Sequence, residues 1–107
     1  MIHTVSGEIA EKGDGFVVLD IVGIGIKLLS HQRALDRLPQ RGSRAKLYSY
    51  LHVRDDGVEL YGFPDEEELR FFTLLNSVSG VGPKSALAVL EVADLSQLGA
   101  AISEGSP

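Results

Sequence analysis

Gly80-Val81-Gly82-Pro83-Lys84 divides two apolar segments, and its reading decides the C-terminal half of the fold. Before it runs Glu68-Leu69-Arg70-Phe71-Phe72-Thr73-Leu74-Leu75-Asn76-Ser77-Val78-Ser79, and after it Ser85-Ala86-Leu87-Ala88-Val89-Leu90, both helical in pattern. Two helices joined by a Gly-x-Gly turn of this length form a helix-hairpin-helix. The glycines admit positive φ and let a ligand approach the backbone. The second helix starts at the turn, so its first N–H groups lack intrahelical acceptors and sit at the positive end of the helix dipole. Such a start suits a phosphate, and Lys84 adds a mobile positive charge beside it. Gly80, Val81, Gly82, Pro83 and Lys84 are therefore candidate phosphate contacts. A duplex backbone offers phosphates regardless of sequence, so the natural partner is DNA or RNA read by its shape. The competing reading is a plain tight αα corner. Leu74-Leu75 before the turn and Ala86-Leu87-Ala88 after it favour the phosphate binder.

Working outward toward the N-terminus, the helical period gives way at Pro64-Asp65 to strands. Asp65 is a plausible N-cap, and Glu66-Glu67-Glu68 falls in the first helical turn, where a solvated acidic face opposes the dipole favourably. Residues 2–11 read as a strand broken by Gly7, and Lys12-Gly13-Asp14-Gly15 has turn composition. Phe16-Val17-Val18-Leu19-Asp20-Ile21-Val22 is the strongest β-former of the chain. Glycines alternate with aliphatics over 23–29, which predicts a strongly bent strand or a bulge. Ser30 is expected to cap a short helix over 30–38 that buries Ala34, Leu35 and Leu38 and ends at Pro39. Strands over 45–53 and 58–63 follow, joined by Arg54-Asp55-Asp56-Gly57. The order β-β-β-α-β-β is that of the five-stranded oligonucleotide-binding barrel. The fold class is α+β: a barrel over 1–64, then an all-α helix-hairpin-helix segment over 65–107.

Composition narrows the classes. The 107 residues carry 44% apolar and 23% charged side chains, the profile of a globular chain. Ten Lys+Arg against fifteen Asp+Glu leave a net charge of −5, which argues against a generic nucleic-acid binder with a basic face. A hairpin motif that binds through backbone amides escapes that objection. Cysteine is absent, so disulfides and thiolate metal sites are excluded. His3, His31 and His52 lack ligand-like spacing and read as surface or edge residues; no metal or cofactor is expected. No stretch approaches 18 apolar residues and no leader-like start is present, so the expectation is a soluble, cytoplasmic protein. Asp94 and Gln97 fit a capping box for a third helix running to Glu104, whose apolar face calls for a partner beyond Pro107.

The Asp55-Asp56 pair admits two readings from its residues. Asp56-Gly57 is a favoured hairpin turn, with both central residues at positive φ, and on that account the pair is structural. Asp55 is harder to explain, because adjacent carboxylates repel. A catalytic pair needs further ligands, and the nearest, Glu59, sits on a strand with nothing in the sequence to fix it.

Taken together the two halves resemble the RuvA family, the junction-binding subunits of the bacterial Holliday junction branch-migration complex. The match rests on Glu11-Lys12, Val22-Gly23-Ile24-Gly25, Leu38-Pro39, Val53-Arg54-Asp55-Asp56, Leu60-Tyr61-Gly62-Phe63, Phe71-Phe72-x-Leu74, and 76–90 around Gly-Val-Gly-Pro-Lys. Tyr-Gly-Phe followed sixteen residues later by Gly-Val-Gly-Pro-Lys is the most specific arrangement, and the resemblance spans the whole chain. It implies an oligonucleotide-binding-like barrel and a flat homotetramer holding an open, square four-way junction. Two helix-hairpin-helix motifs per subunit would grip the minor-groove backbone, the first at Ser79 to Lys84. Asp55 and Asp56 become the family's acidic pin at the crossover, which overrides the structural reading. The resemblance further implies a non-catalytic subunit, with ATP hydrolysis in a RuvB-type hexameric partner, a RuvC-type resolvase as a further partner, and a bacterial, cytoplasmic setting in recombination and DNA repair. His3-Thr4 and Ile26 depart from the family pattern within the barrel. On the family pattern the second hairpin motif and a RuvB-engaging domain would follow residue 107, so the chain reads as an N-terminal fragment.

Overall fold

The computed structural model of the chain describes residues 3–92. The third helix expected over 94–104 lies outside them.

Five strands close a barrel in the order β1-β2-β3-β5-β4: β1 Thr4–Gly13, β2 Phe16–Ile21, β3 Ile24–Leu29, β4 Arg44–Arg54 and β5 Gly57–Phe63. This is the oligonucleotide-binding arrangement expected from the element order. Closure depends on β1 pairing with two strands. Its first half lies against β4, Thr4 opposite Tyr48 through Glu8 opposite Arg44, and its second half against β2. The register against β2 slips between Ile9 and Glu11. Such a bulge bends a strand and sharpens its twist, which lets one strand serve both walls. Burial reports the same event: Val5, Gly7 and Ile9 alternate inward, and the alternation stops after Ile9.

Three expectations in this region are corrected. Gly7 does not break the first strand. A Cβ there would come within 2.6 Å of the Asp20 carbonyl oxygen, so glycine permits the close approach of β1 and β2. The expected bulge is absent from β3, which pairs regularly with β2 over six positions. Its glycine signal belongs to the β2–β3 turn, where Val22 (φ 53°) and Gly23 (φ 88°) take positive φ and the Gly23 N–H donates to Asp20 Oδ1. Nor does Ser30 cap the short helix α1, Gln32–Asp36; His31 does, its ring nitrogen Nδ1 accepting from the Ala34 N–H.

Two apolar clusters organise the interior. Val5, Ile9, Val17, Leu19, Leu28 and Leu47 fill the barrel, and Leu35 of α1 packs among them. The second cluster joins Tyr61 and Phe63 at the end of β5 to helix α2, Glu66–Asn76, and helix α3, Pro83–Val92. Phe72 is its centre, fully buried, with ring centroids 5.0 Å from Phe63, 5.2 Å from Tyr61 and 5.4 Å from Tyr50. Contacts of this kind add to area burial through edge and offset ring geometry. Asp65 caps α2 as expected, accepting from the Glu68 N–H.

Polar contacts tie the helices to the barrel as well. Glu66 and Glu67 are exposed, as a solvated face requires, but Glu68 is buried with its carboxylate between His31 and Arg37. His31 is likewise buried, not the surface residue expected from its spacing. Because Nδ1 accepts the Ala34 amide proton, Nε2 carries the ring proton and donates to Glu68 Oε2 at 2.6 Å. Burial, with the Arg37 charge acting in the same direction, holds the His31 pKa down at about 4. On the far side Glu91 of α3 accepts from the Gln32 N–H at 2.9 Å, while Arg33 donates to the Glu91 carbonyl oxygen.

Candidate nucleic-acid interface

Helix α2 ends at Asn76, and the Ser77 N–H closes it on the Thr73 and Leu74 carbonyl oxygens. The chain turns through 77–82 with the Val81 N–H donating to the Val78 carbonyl oxygen at 3.0 Å. Gly80 adopts φ +84°, a conformation that costs an L side chain strain. Val81 tucks against the aromatic cluster and anchors the turn from beneath. Gly82 accepts the first α3 bond from the Ala86 N–H, and Pro83 occupies the first helical position, where its missing N–H is harmless. The amides of Lys84 and Ser85 therefore stand at the open helix start with no carbonyl a turn behind them.

A Cβ at Gly82 would have nothing within 4 Å. Internal packing therefore does not require glycine there, and the space in front of the backbone is open. Ser79, Gly80, Gly82 and Lys84 are exposed, and Val81 and Pro83 half-buried. The turn thus presents backbone amides, a lysine and an unobstructed approach on one side.

The β4–β5 hairpin carries the acidic pair. Its two loop residues are Asp55 and Asp56, with Arg54 paired to Gly57. This corrects the expected Asp56-Gly57 turn. Neither aspartate takes positive φ, and Gly57 (φ 154°) opens β5. Both carboxylates project from the exposed tip, flanked by the exposed cross-strand pair Val53 and Val58.

Glu59 is not unsupported. Its Oε1 accepts the Tyr61 hydroxyl proton at 2.9 Å, and its Oε2 lies 3.7 Å from the Arg54 guanidinium. Burial and the bond to Glu59 push the Tyr61 phenol well above its ordinary value, so it remains a donor. Arg54 also stands 3.6 Å from Asp56. In sequence Arg54 reads as a turn residue and as part of the Val53-Arg54-Asp55-Asp56 match, with no partner assigned. Its available signal was register: His52 opposes Glu59, which places Arg54 on the adjoining diagonal.

A groove of about 290 Å³ lies between the base of the acidic hairpin and the α3 start, with Asp55 and Asp56 outside its lining. One wall is formed by His52, Arg54, Glu59 and Tyr61 at the base of the acidic hairpin, the other by Gly82, Pro83, Lys84 and Ser85 at the α3 start. Among the described residues no cluster of His, Asp and Glu is arranged to hold a metal ion, and no helix is long and apolar enough to cross a membrane.

Residues 1–62 match the RuvA N terminal domain. The chain belongs to the RuvA family. It is 46% identical over 105 residues to the Holliday junction branch migration complex subunit RuvA of Thermoanaerobacter sp. (strain X514), covering 98% of this chain and 56% of that protein. Against the subunit of the same name from Symbiobacterium thermophilum, identity is 45% over 94 residues, 88% of this chain and 46% of that protein. For Rhodococcus jostii it is 42% over 106 residues, 99% of this chain and 52% of the relative. The chain spans about half the length of the curated RuvA relatives it matches.

Proposed function

We propose that this chain binds four-way DNA junctions without sequence preference, as the junction-recognition part of a RuvA subunit. The carrying observation is the groove that joins the open α3 start to the base of the acidic tip. On this reading Ser79 to Lys84 grip the backbone of one junction arm, and Asp55 and Asp56 stand at the crossover. The first region supplies affinity that any duplex can use; the second shapes what happens where strands exchange. The segment over 65–107 then forms the first half of a two-motif clamp behind the 1–64 barrel. Four copies around a square junction, a RuvB-type ATPase and a RuvC-type resolvase complete the assembly.

Magnitudes explain why such a subunit would be non-catalytic. One carboxylate–phosphate pair about 6 Å apart repels by roughly 0.7 kcal/mol in water and about 3 kcal/mol at an effective dielectric of 20. Opening a base-pair step costs about 1.4 kcal/mol. Two aspartates therefore bias strand separation locally but cannot drive repeated unpairing along DNA. Net migration needs an ATP-hydrolysing partner.

A titration of four-way junction against linear duplex, with and without magnesium, tests the reading. Tighter junction binding with no strand cleavage is expected. Equal affinity for both would leave a structure-blind duplex module, and metal-dependent cutting would indicate a nuclease. Lys84→Ala is expected to weaken both complexes and lower the salt dependence by about one phosphate's worth. Asp55→Asn with Asp56→Asn should keep or raise junction affinity, and a large loss would remove the pin assignment.

A further inference from the structure

Arg54 stands at the groove between the base of the acidic hairpin and the α3 start. It ends β4 directly before Asp55, and its side chain lines the groove whose opposite wall carries Lys84. The guanidinium faces two carboxylates, Nε lying 3.6 Å from Asp56 Oδ1 and Nη2 3.7 Å from Glu59 Oε2. Both separations exceed the roughly 2.7–3.2 Å of an N–H···O hydrogen bond. Charge alone makes these pairs, and the planar fork of donors is not spent on either carboxylate. Arg54 is 45% exposed and Asp56 81% exposed, so water screens their attraction and little holds them together. A phosphate offers the same guanidinium two parallel charge-assisted bonds, the geometry for which arginine is best built.

Glu59 is fixed independently of Arg54. Tyr61, itself buried against Phe72, donates to Glu59 Oε1, so the carboxylate keeps a partner if the arginine turns away. Asp56 has no such second anchor among the described residues. Departure of Arg54 would thus leave the groove wall intact and the tip more negative.

We infer that Arg54 is a phosphate ligand that exchanges partners when a DNA strand enters the groove between Lys84 and the acidic tip. In the free protein it is paired with Asp56 and Glu59. With DNA present it turns to a backbone phosphate and leaves Asp56 uncompensated at the crossover. The repulsive charge of the tip then reaches full strength only once a strand is in place. The two aspartates are also unequal: Asp55 has no ion-pair partner among the described residues, and Asp56 is the one that DNA unmasks. This inference rests on the junction-binding reading above.

The test follows fluorescence anisotropy of a labelled four-way junction bound to the 107-residue chain across a salt series. Arg54→Gln should lower the slope of log affinity against log salt by about 0.9, the equivalent of one phosphate, and Arg54→Lys should restore most of it. The same decrement should persist when Arg54→Gln is made in a chain already carrying Asp56→Asn and Glu59→Gln. An unchanged slope overturns the inference. So does a decrement that vanishes in the Asp56→Asn, Glu59→Gln background, because Arg54 would then act only by holding the tip. Lys84→Ala separates this failure from a deeper one. A slope lowered at Lys84 but not at Arg54 removes the arginine's role alone, whereas loss at neither removes the junction-binding reading with it.

Discussion

Val22 shows how far a single residue can depart from its neighbours' logic. It is 98% exposed, and it holds φ 53° at a turn position that favours Asn, Asp or Gly. A β-branched side chain in the left-handed region costs about 1–2 kcal/mol, and here no burial offsets it. Val22→Asn is therefore expected to stabilise the chain by about 1 kcal/mol, raising the melting temperature by roughly 4–8 °C. Thermal unfolding followed by circular dichroism checks this, and a lower midpoint would contradict it. The turn was not legible beforehand because Val22-Gly23 lacks the usual first turn residue, and the valine extended the apolar run of β2. His31 was obscured for a related reason. Its ring does two jobs that sequence spacing does not report, capping α1 and donating to a carboxylate 37 positions away.

At the scale of elements, the two glycines of the α2–α3 turn serve different physical ends. Gly80 carries positive φ, so Gly80→Ala strains the folded backbone itself. Gly82 has open space where a Cβ would go, so Gly82→Ala meets no atom of the protein. Gly80→Ala is expected to destabilise by about 1 kcal/mol. Gly82→Ala should leave the urea midpoint nearly unchanged yet weaken duplex binding at least several-fold. Equal loss of stability in both variants would mean that Gly82 serves packing rather than ligand approach. Most of this turn was readable from Gly-Val-Gly-Pro-Lys, because its determinants are local: permissive φ, a proline at the first helical position and a helix start. The acidic hairpin was less readable. Its composition marks the tip, but the loop is Asp55-Asp56 rather than Asp56-Gly57, since the pairing of Arg54 with Gly57 depends on register across the whole of β4 and β5.

Across the whole molecule, barrel and helices are joined by the aromatic cluster around Phe72 and by the contacts of buried Glu68 with buried His31 and with Arg37. That set makes stability depend on pH. His31 has a folded pKa of about 4 against 6.5 unfolded, so folding favours its neutral form. The unfolded chain binds the proton first as pH falls. Stability from this source is complete above pH 6.5 and is lost as pH drops toward 4, by up to about 3 kcal/mol. Urea unfolding at pH 7, 5.5 and 4.5 should show that decline, and His31→Asn, which keeps a capping side chain, should flatten it. Parallel curves for both chains would rule out His31 as the source.

The sequence by itself determined the order of elements, the barrel class and the hairpin turn, because each follows from short-range patterning, turn chemistry and helix capping. It also carried the family resemblance over nearly the whole chain. Only the tertiary structure decided which charges are solvated and which are locked. Glu66, Glu67 and Glu68 are one acidic run in sequence, yet the third is buried between a histidine and an arginine brought from the N-cap and C-cap of α1. Arg54 and Lys84, thirty positions apart, face one groove for the same reason. Burial and partnership of a charge depend on what the fold carries to it from elsewhere in the chain, and local pattern holds no record of that.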